Sequence, residues 1–316
     1  MIGRLLLVAL CSACAGSSQP VSNGGATTEP AVADLVLHEG PAPAELAREI
    51  HLRLGLLLEV AGAEHLTEAI AHLDAAASSG PVARRALARY RAASARLRAA
   101  DVDGARQTLA ALLAECTRQA GCQVEPEARR FLDVLESNAL PADAAIPDVT
   151  VIVPVSTWEQ PVDSLGLSHE QAALLHAFYQ TRTERDRAAS AAHEASGDAE
   201  RDAARRRAAA LGTQEEQHAT ALLAGAPNPL PNAAQAILFT RLLADYGNLD
   251  DIDGLKTEAT LQRVIALVDA GRTLASTPDE QLRLAYLGGV YLSELGQIDA
   301  AIAALRAALA QAEARP

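Results

Sequence analysis

Three groups of side chains have residue types and spacing that chemistry uses. Glu215-Gln-Glu-His218 sets a carboxylate and an imidazole three residues apart, which puts both on one helix face, as in carboxylate-bridged di-iron bundles. Such a centre needs a second Glu-x-x-His and two more inward carboxylates, and the chain has no second copy. The expectation is therefore a packing or solvated role. Leu249-Asp-Asp-Ile-Asp-Gly254 resembles a calcium loop until it is aligned. The first and twelfth positions, where an EF-hand needs a carboxylate and a glutamate, fall on Leu249 and Thr260. A looser cation site through Asp250, Asp251 and Asp253 stays open as the alternative. Glu68 with His72, and His169 with His176, each share a helix face, but neither pair has a third ligand at zinc-site spacing. No nucleophile elbow, phosphate-binding loop or dinucleotide fingerprint occurs. The sequence thus predicts no catalytic residue, no metal and no cofactor.

The four cysteines carry a different message. Arg4 precedes the apolar run Leu5-Leu-Leu-Val-Ala-Leu10, followed by Cys11-Ser-Ala-Cys14. The run is too short to span a bilayer and reads as the apolar centre of an export signal over 1–14. Ser12-Ala13-Cys14 resembles the end of a bacterial lipobox, which implies lipidation of Cys14; Cys11 stands where that pattern prefers leucine. Ala13-Cys14-Ala15 also fits an ordinary signal-peptidase site, which would release a soluble periplasmic protein. Cys116 and Cys122 enclose Thr-Arg-Gln-Ala-Gly where a helix should end. In an oxidising compartment the natural expectation is a disulfide, worth about 2–3 kcal/mol less any strain; buried free thiols are the alternative.

Composition narrows the class. Aromatic residues make up 3% of the chain against 49% apolar residues, so a core has to be built from Leu, Ile, Val and Ala on helices. The formal charge of −13, with Lys256 the single lysine, argues against nucleic acid, which needs clustered cations.

These residues need elements to hold them, and the chain reads almost throughout as amphipathic helices. Residues 15–43 are a polar tether, interrupted by Asp34-Leu-Val-Leu-His-Glu39 as a possible short strand. The N-terminal helical region, 44–139, holds helices over 44–62, 64–78, 81–99, 103–116 and 126–137. In the first, Leu46, Ile50, Leu54, Leu57 and Val60 share one side. Residues 140–167 break the pattern with Pro141, Pro147, Pro154 and Pro161, and read as an extended linker. Its β-branched run Val149–Val153 needs a strand partner, which Leu35-Val-Leu37 could supply. The region 168–226 opens with the capping box Ser168-His-Glu-Gln171 and reads as charged helices over 168–196, 199–211 and 213–223, forming a protruding hairpin. The C-terminal region, 232–314, has helices over 233–246 and 255–274 and a final pair.

That final pair is the best-formed unit. Thr277-Pro-Asp-Glu280 gives a cap, a proline in the first turn and a glutamate three residues on. The small pair Gly288-Gly289 permits close helix approach, Gly296 permits a tight reversal, and Ile298, Ala301, Ile302, Leu305 and Ala308 form one stripe. These residues resemble a tetratricopeptide repeat. Weaker copies lie at Ala100–Leu112, at Leu54–Ile70 and at Tyr246-Gly247 with Leu249. The opening aromatic and closing proline of the repeat are missing or displaced. The resemblance implies an all-α fold, a degenerate tetratricopeptide-like array of helical hairpins (an α-solenoid), with a groove for peptides or proteins. Periodicity by itself shows only recurring paired helices. The resulting expectation is an exported scaffold or adaptor without catalysis, binding other envelope proteins or peptides and anchored in a bacterial outer membrane by lipid. A structural spacer, and an enzyme or metal protein of unrecognised type, are the alternatives.

Overall fold

The computed structural model describes residues 36–41, 43–119, 122–137, 157–247 and 257–314. The fold is all-α. Eleven α-helices account for most of the described residues: α1 (Pro43–Ala61), α2 (Leu66–Ala77), α3 (Val82–Arg98), α4 (Val102–Cys116), α5 (Glu125–Glu136), α6 (His169–Glu194), α7 (Asp198–Ala224), α8 (Ala233–Tyr246), α9 (Glu258–Leu274), α10 (Pro278–Glu294) and α11 (Ile298–Glu313). Two short strands, β1 (Val36–Pro41) and β2 (Thr157–Pro161), pair with each other. The strand expected near Leu35–Leu37 therefore forms, with a partner that the β-branched run did not suggest. The signal region with Cys14, most of the tether, Val149–Val153 and Leu249–Gly254 lie outside the described residues.

Local chemistry sets most helix boundaries. Asp101 accepts a hydrogen bond from the Gly104 amide at the start of α4, and Asn232 and Thr257 cap α8 and α9 in the same way. Ser168 and Gln171 form a reciprocal capping box on α6, and Thr277 with Glu280 forms another on α10. Each cap satisfies amides that the first turn leaves without intrahelical partners. At the other end of α10, Gly296 adopts φ 78°, a left-handed conformation that favours glycine.

The chain divides into two units. The first contains α1–α5, the end of α10 from Gly288 and α11; the second contains residues 159–287. In the first unit, α1 to α4 each pack on the next helix in sequence, and α11 packs on α1. Its core includes Leu52, Leu73, Tyr90, Leu109, Leu112 and Phe131, with Tyr90 and Phe131 edge to face, centroids 5.8 Å apart. In the second unit, α6 and α7 form a long hairpin, α8 packs on α9, and Leu175, Phe178, Leu222, Leu238 and Phe239 share a core with Val162 and Leu165.

Two expectations need correction. The segment read as helices over 199–211 and 213–223 is one helix, α7, running through Gly212. A mid-helix glycine costs only about 1 kcal/mol, too little to break a helix held by α6 along its length. The side of α1 formed by Leu46, Ile50, Leu54 and Leu57 stops short of Val60, which is 40% exposed, while Leu52 and Leu58, off that side, are buried. A helix packed by both α2 and α11 buries more than one stripe. No helix among the described residues is long and apolar enough to cross a membrane.

Candidate functional site: an arginine-lined trough over α3

Helix α3 carries six arginines, at 84, 85, 89, 91, 96 and 98, and sits between α2 and α4. Three buried carboxylates reach toward it. Glu49 of α1 pairs with Arg84 and with Arg53. Glu59 accepts from Ser94 at 3.0 Å and from Arg98 at 3.3 Å. Glu115 of α4 is shared by Arg85, through Nε at 3.0 Å, and Arg89. Buried carboxylates need such partners, because an uncompensated charge costs several kcal/mol. The usable signal was a glutamate set on an apolar face, as Glu115 is with Leu112 and Leu109.

Over α3 the surfaces of α2 and α4 leave a trough made of two adjoining hollows of about 320 Å³ and 510 Å³. Ala77 at the end of α2 and Ser78 just after it face Thr108 and Ala111 of α4 in the first hollow, and Arg89 is common to both. Ala114, Glu115, Arg118 and Gln119 line the second. Small side chains keep the trough open, and Arg89 in it is 29% exposed. Burial, then the charges of Arg85 and Arg118, hold the Arg89 guanidinium below its ordinary value. Asp74, which lines the first hollow, is taken by Arg96 in a two-pronged pair at 2.6 and 3.2 Å. Arg118 is exposed and donates to the Ala114 carbonyl at 2.9 Å. It stands between Cys116 and Cys122, whose Cα atoms lie 5.3 Å apart, within the span a disulfide needs.

A second polar cluster lies where α11 meets α1 and α2. His51 and His72 approach through their Nδ1 atoms at 2.8 Å. Glu68 sits 3.7 Å from His72 Nε2 and is gripped by Arg306 of α11 at 2.6–3.0 Å, while Glu313 lies 3.3 Å from His51 Nε2. The Glu68–His72 spacing read from sequence thus acquires three partners from distant sequence. The Arg306 hydrogen bond holds the Glu68 carboxyl below its ordinary value, and burial, then the His51 charge, lowers His72.

Glu215 lies among protein side chains. It is completely buried and receives Arg182 at 3.1 Å, Arg185 at 2.6 Å and the Tyr246 hydroxyl. Two guanidiniums and a phenol surround the carboxylate. Burial, together with hydrogen bonding to Glu215, raises the Tyr246 phenol well above its ordinary range, so it acts as a donor only. His218 Nδ1 and His176 Nδ1 are buried without a hydrogen-bond partner among the described residues, and His169 is exposed. Among the described residues no group of three or more His, Cys, Asp or Glu is placed to hold a metal ion. The repeat residues of the final pair serve packing: Ala301, Ile302, Leu305 and Ala308 are buried, and Gly289 lies against Leu305.

Comparison with protein-family models, with curated proteins and with solved structures finds no match to this chain.

Proposed function

We propose that this protein is an exported adaptor that binds other envelope proteins or peptides on the surface of its N-terminal helices, without catalysis. The observation that carries this is the trough between α2 and α4, floored by Arg89, in a unit whose first five helices are stacked in sequence order. Stacked helical hairpins of this kind are the architecture that repeat proteins use to present extended binding surfaces. The tetratricopeptide-like final pair supports the same reading, and its α11 continues the row of helices beside α1. The export signal, the lipobox-like Ser12-Ala13-Cys14 and the polar segment behind it support a lipid-anchored location in the envelope. The pairing of Cys116 with Cys122 fits an oxidising compartment. The hairpin of α6 and α7 favours a second reading, a spacer: beyond Thr181, only Ala188 and Ala192 of α6 are buried.

A photocrosslinking residue placed at Ala111, in the trough, tests the adaptor in the native envelope against one at Ala110, which is exposed but does not line the trough. The expected outcome is a discrete adduct from position 111 alone, recovered in the membrane fraction. Equal or absent adducts from both positions favour the spacer, and recovery in the soluble fraction excludes the anchor.

A further inference from the structure

Helix α11 meets α1 and α2 through a row of polar contacts that begins and ends on α11 itself. Glu313 of α11 lies 3.3 Å from His51 Nε2 of α1, and His51 meets His72 of α2 through Nδ1 atoms at 2.8 Å. His72 Nε2 stands 3.7 Å from Glu68, which Arg306 of α11 grips at 2.6–3.0 Å. His65, in the turn before α2, also acts on Glu68. The three contacts along the rings have places for three protons on four ring nitrogens. A fourth proton would set N–H against N–H across the 2.8 Å contact. It would also place two imidazolium charges and Arg306 against only two carboxylates, Glu68 and Glu313. The ring side chains are 18% and 15% exposed, so a second charge gains little hydration while α11 is docked.

We infer that α11 is an acid-released latch: protonation of both His51 and His72 drives it off α1 and lets water reach the rings. The rings cannot part by moving α1 from α2, because those helices pack so closely that a Cβ on Gly55 would lie 2.5 Å from Leu73 Cγ. On α11, Ile302, Arg306, Leu309 and Glu313 recur at spacings of four, three and four, one stripe of the helix. Buried Ile302 and Leu309 hold that stripe down at neutral pH, and release bares them. Burial, then the His51 charge, lowers His72 from its ordinary 6.5. The docked form therefore resists a proton that the released form takes up, and docking present above pH 6.5 is lost as pH falls below it. Glu68, held below its ordinary 4.5 by the Arg306 hydrogen bond, keeps its charge across that window, so the change belongs to the rings.

Amide hydrogen exchange of the full chain, read by mass spectrometry at pH 7.5 and 5.5 and corrected for the intrinsic pH dependence of exchange, tests this. Opening of α11 should rise by up to about tenfold at pH 5.5, one unit below the ordinary value of a single histidine. The rise in α4 should be smaller, and both should reverse on return to pH 7.5. His72→Gln and His51→Gln each leave one ring with no second imidazolium to repel, so in both variants the rise should vanish. Circular dichroism at pH 7.5 checks that each variant is folded; if one is not, the other serves, and the wild-type comparison of α11 with α4 needs neither. Equal protection of α11 at the two pH values, an equal loss in α11 and α4, or a rise that persists in either folded variant would overturn the inference.

Discussion

His51 and His72 face each other through Nδ1 atoms 2.8 Å apart, a geometry with room for one proton between them. One ring donates and the other accepts, and a second proton would set two N–H groups against each other. Around the pair stand Glu68 on α2, His65 in the turn before it, and Arg306 and Glu313 on α11. Burial and the His51 charge lower His72 from its ordinary 6.5. As pH falls through that value the unfolded chain takes up a proton that the folded chain resists, so stability present above pH 6.5 is lost on acidification. Glu68, held below its ordinary 4.5 by Arg306, adds stability that persists to lower pH and is lost only as its own folded value is crossed. The urea midpoint of the chain should therefore drop between pH 7.5 and 5.5. His72→Gln, which keeps an amide donor for His51, should flatten that drop; a slope identical to wild type would show that the pair does not set it. The sequence offered Glu68 and His72 as a pair four residues apart, and no local rule could add His51 or Arg306. Glu115 and its arginines escaped for the same reason: charge on a helix usually means solvent, and only tertiary packing shows which carboxylate is enclosed.

Helix positions were nearly all legible, because caps, prolines and apolar periodicity act locally. The capping boxes at Ser168 and Thr277 and the turn at Gly296 appear where the sequence puts them. What periodicity missed was context, as with α7, continuous through Gly212, and with α1, buried on more than one side. Two helical glycines show how context decides sign. A Cβ on Gly212 would meet only Arg185 Cδ at 3.9 Å, ordinary contact distance. Gly212→Ala should stabilise the chain by about 0.5–1 kcal/mol, the helix-propensity difference. A Cβ on Gly289 would lie 2.6 Å from Leu305 Cγ and 3.3 Å from the Leu305 amide nitrogen. The same propensity gain is opposed there by overpacking of about 1–3 kcal/mol, so Gly289→Ala should lower the melting temperature despite better helix propensity. Thermal unfolding of the two variants side by side checks both signs; stabilisation by Gly289→Ala would mean that α10 and α11 are not in close contact.

The C-terminal pair, the clearest repeat-like feature of the sequence, works in the whole molecule as a closing element. Helix α11 lies on α1, and Arg306 reaches Glu68 across 238 residues of sequence. No periodicity could reveal that, because it depends on where the intervening chain returns. The side chains that α11 buries include Ile302, Leu305 and Leu309, each worth about 1.5–3 kcal/mol on burial. Their sum is comparable to the roughly 5–15 kcal/mol that holds a typical domain together. Ending the chain after Gln297 should therefore leave α1–α5 without a sharp cooperative transition, followed by circular dichroism in urea. The same truncation exposes the His51–His72 pair to water and removes Arg306 and Glu313, so burial no longer depresses His72 and the acid-dependent loss of stability should shrink with it. A truncated chain that unfolds at the wild-type midpoint would show that α11 docks without supporting α1. The final pair would then be free to act as a binding element rather than as packing.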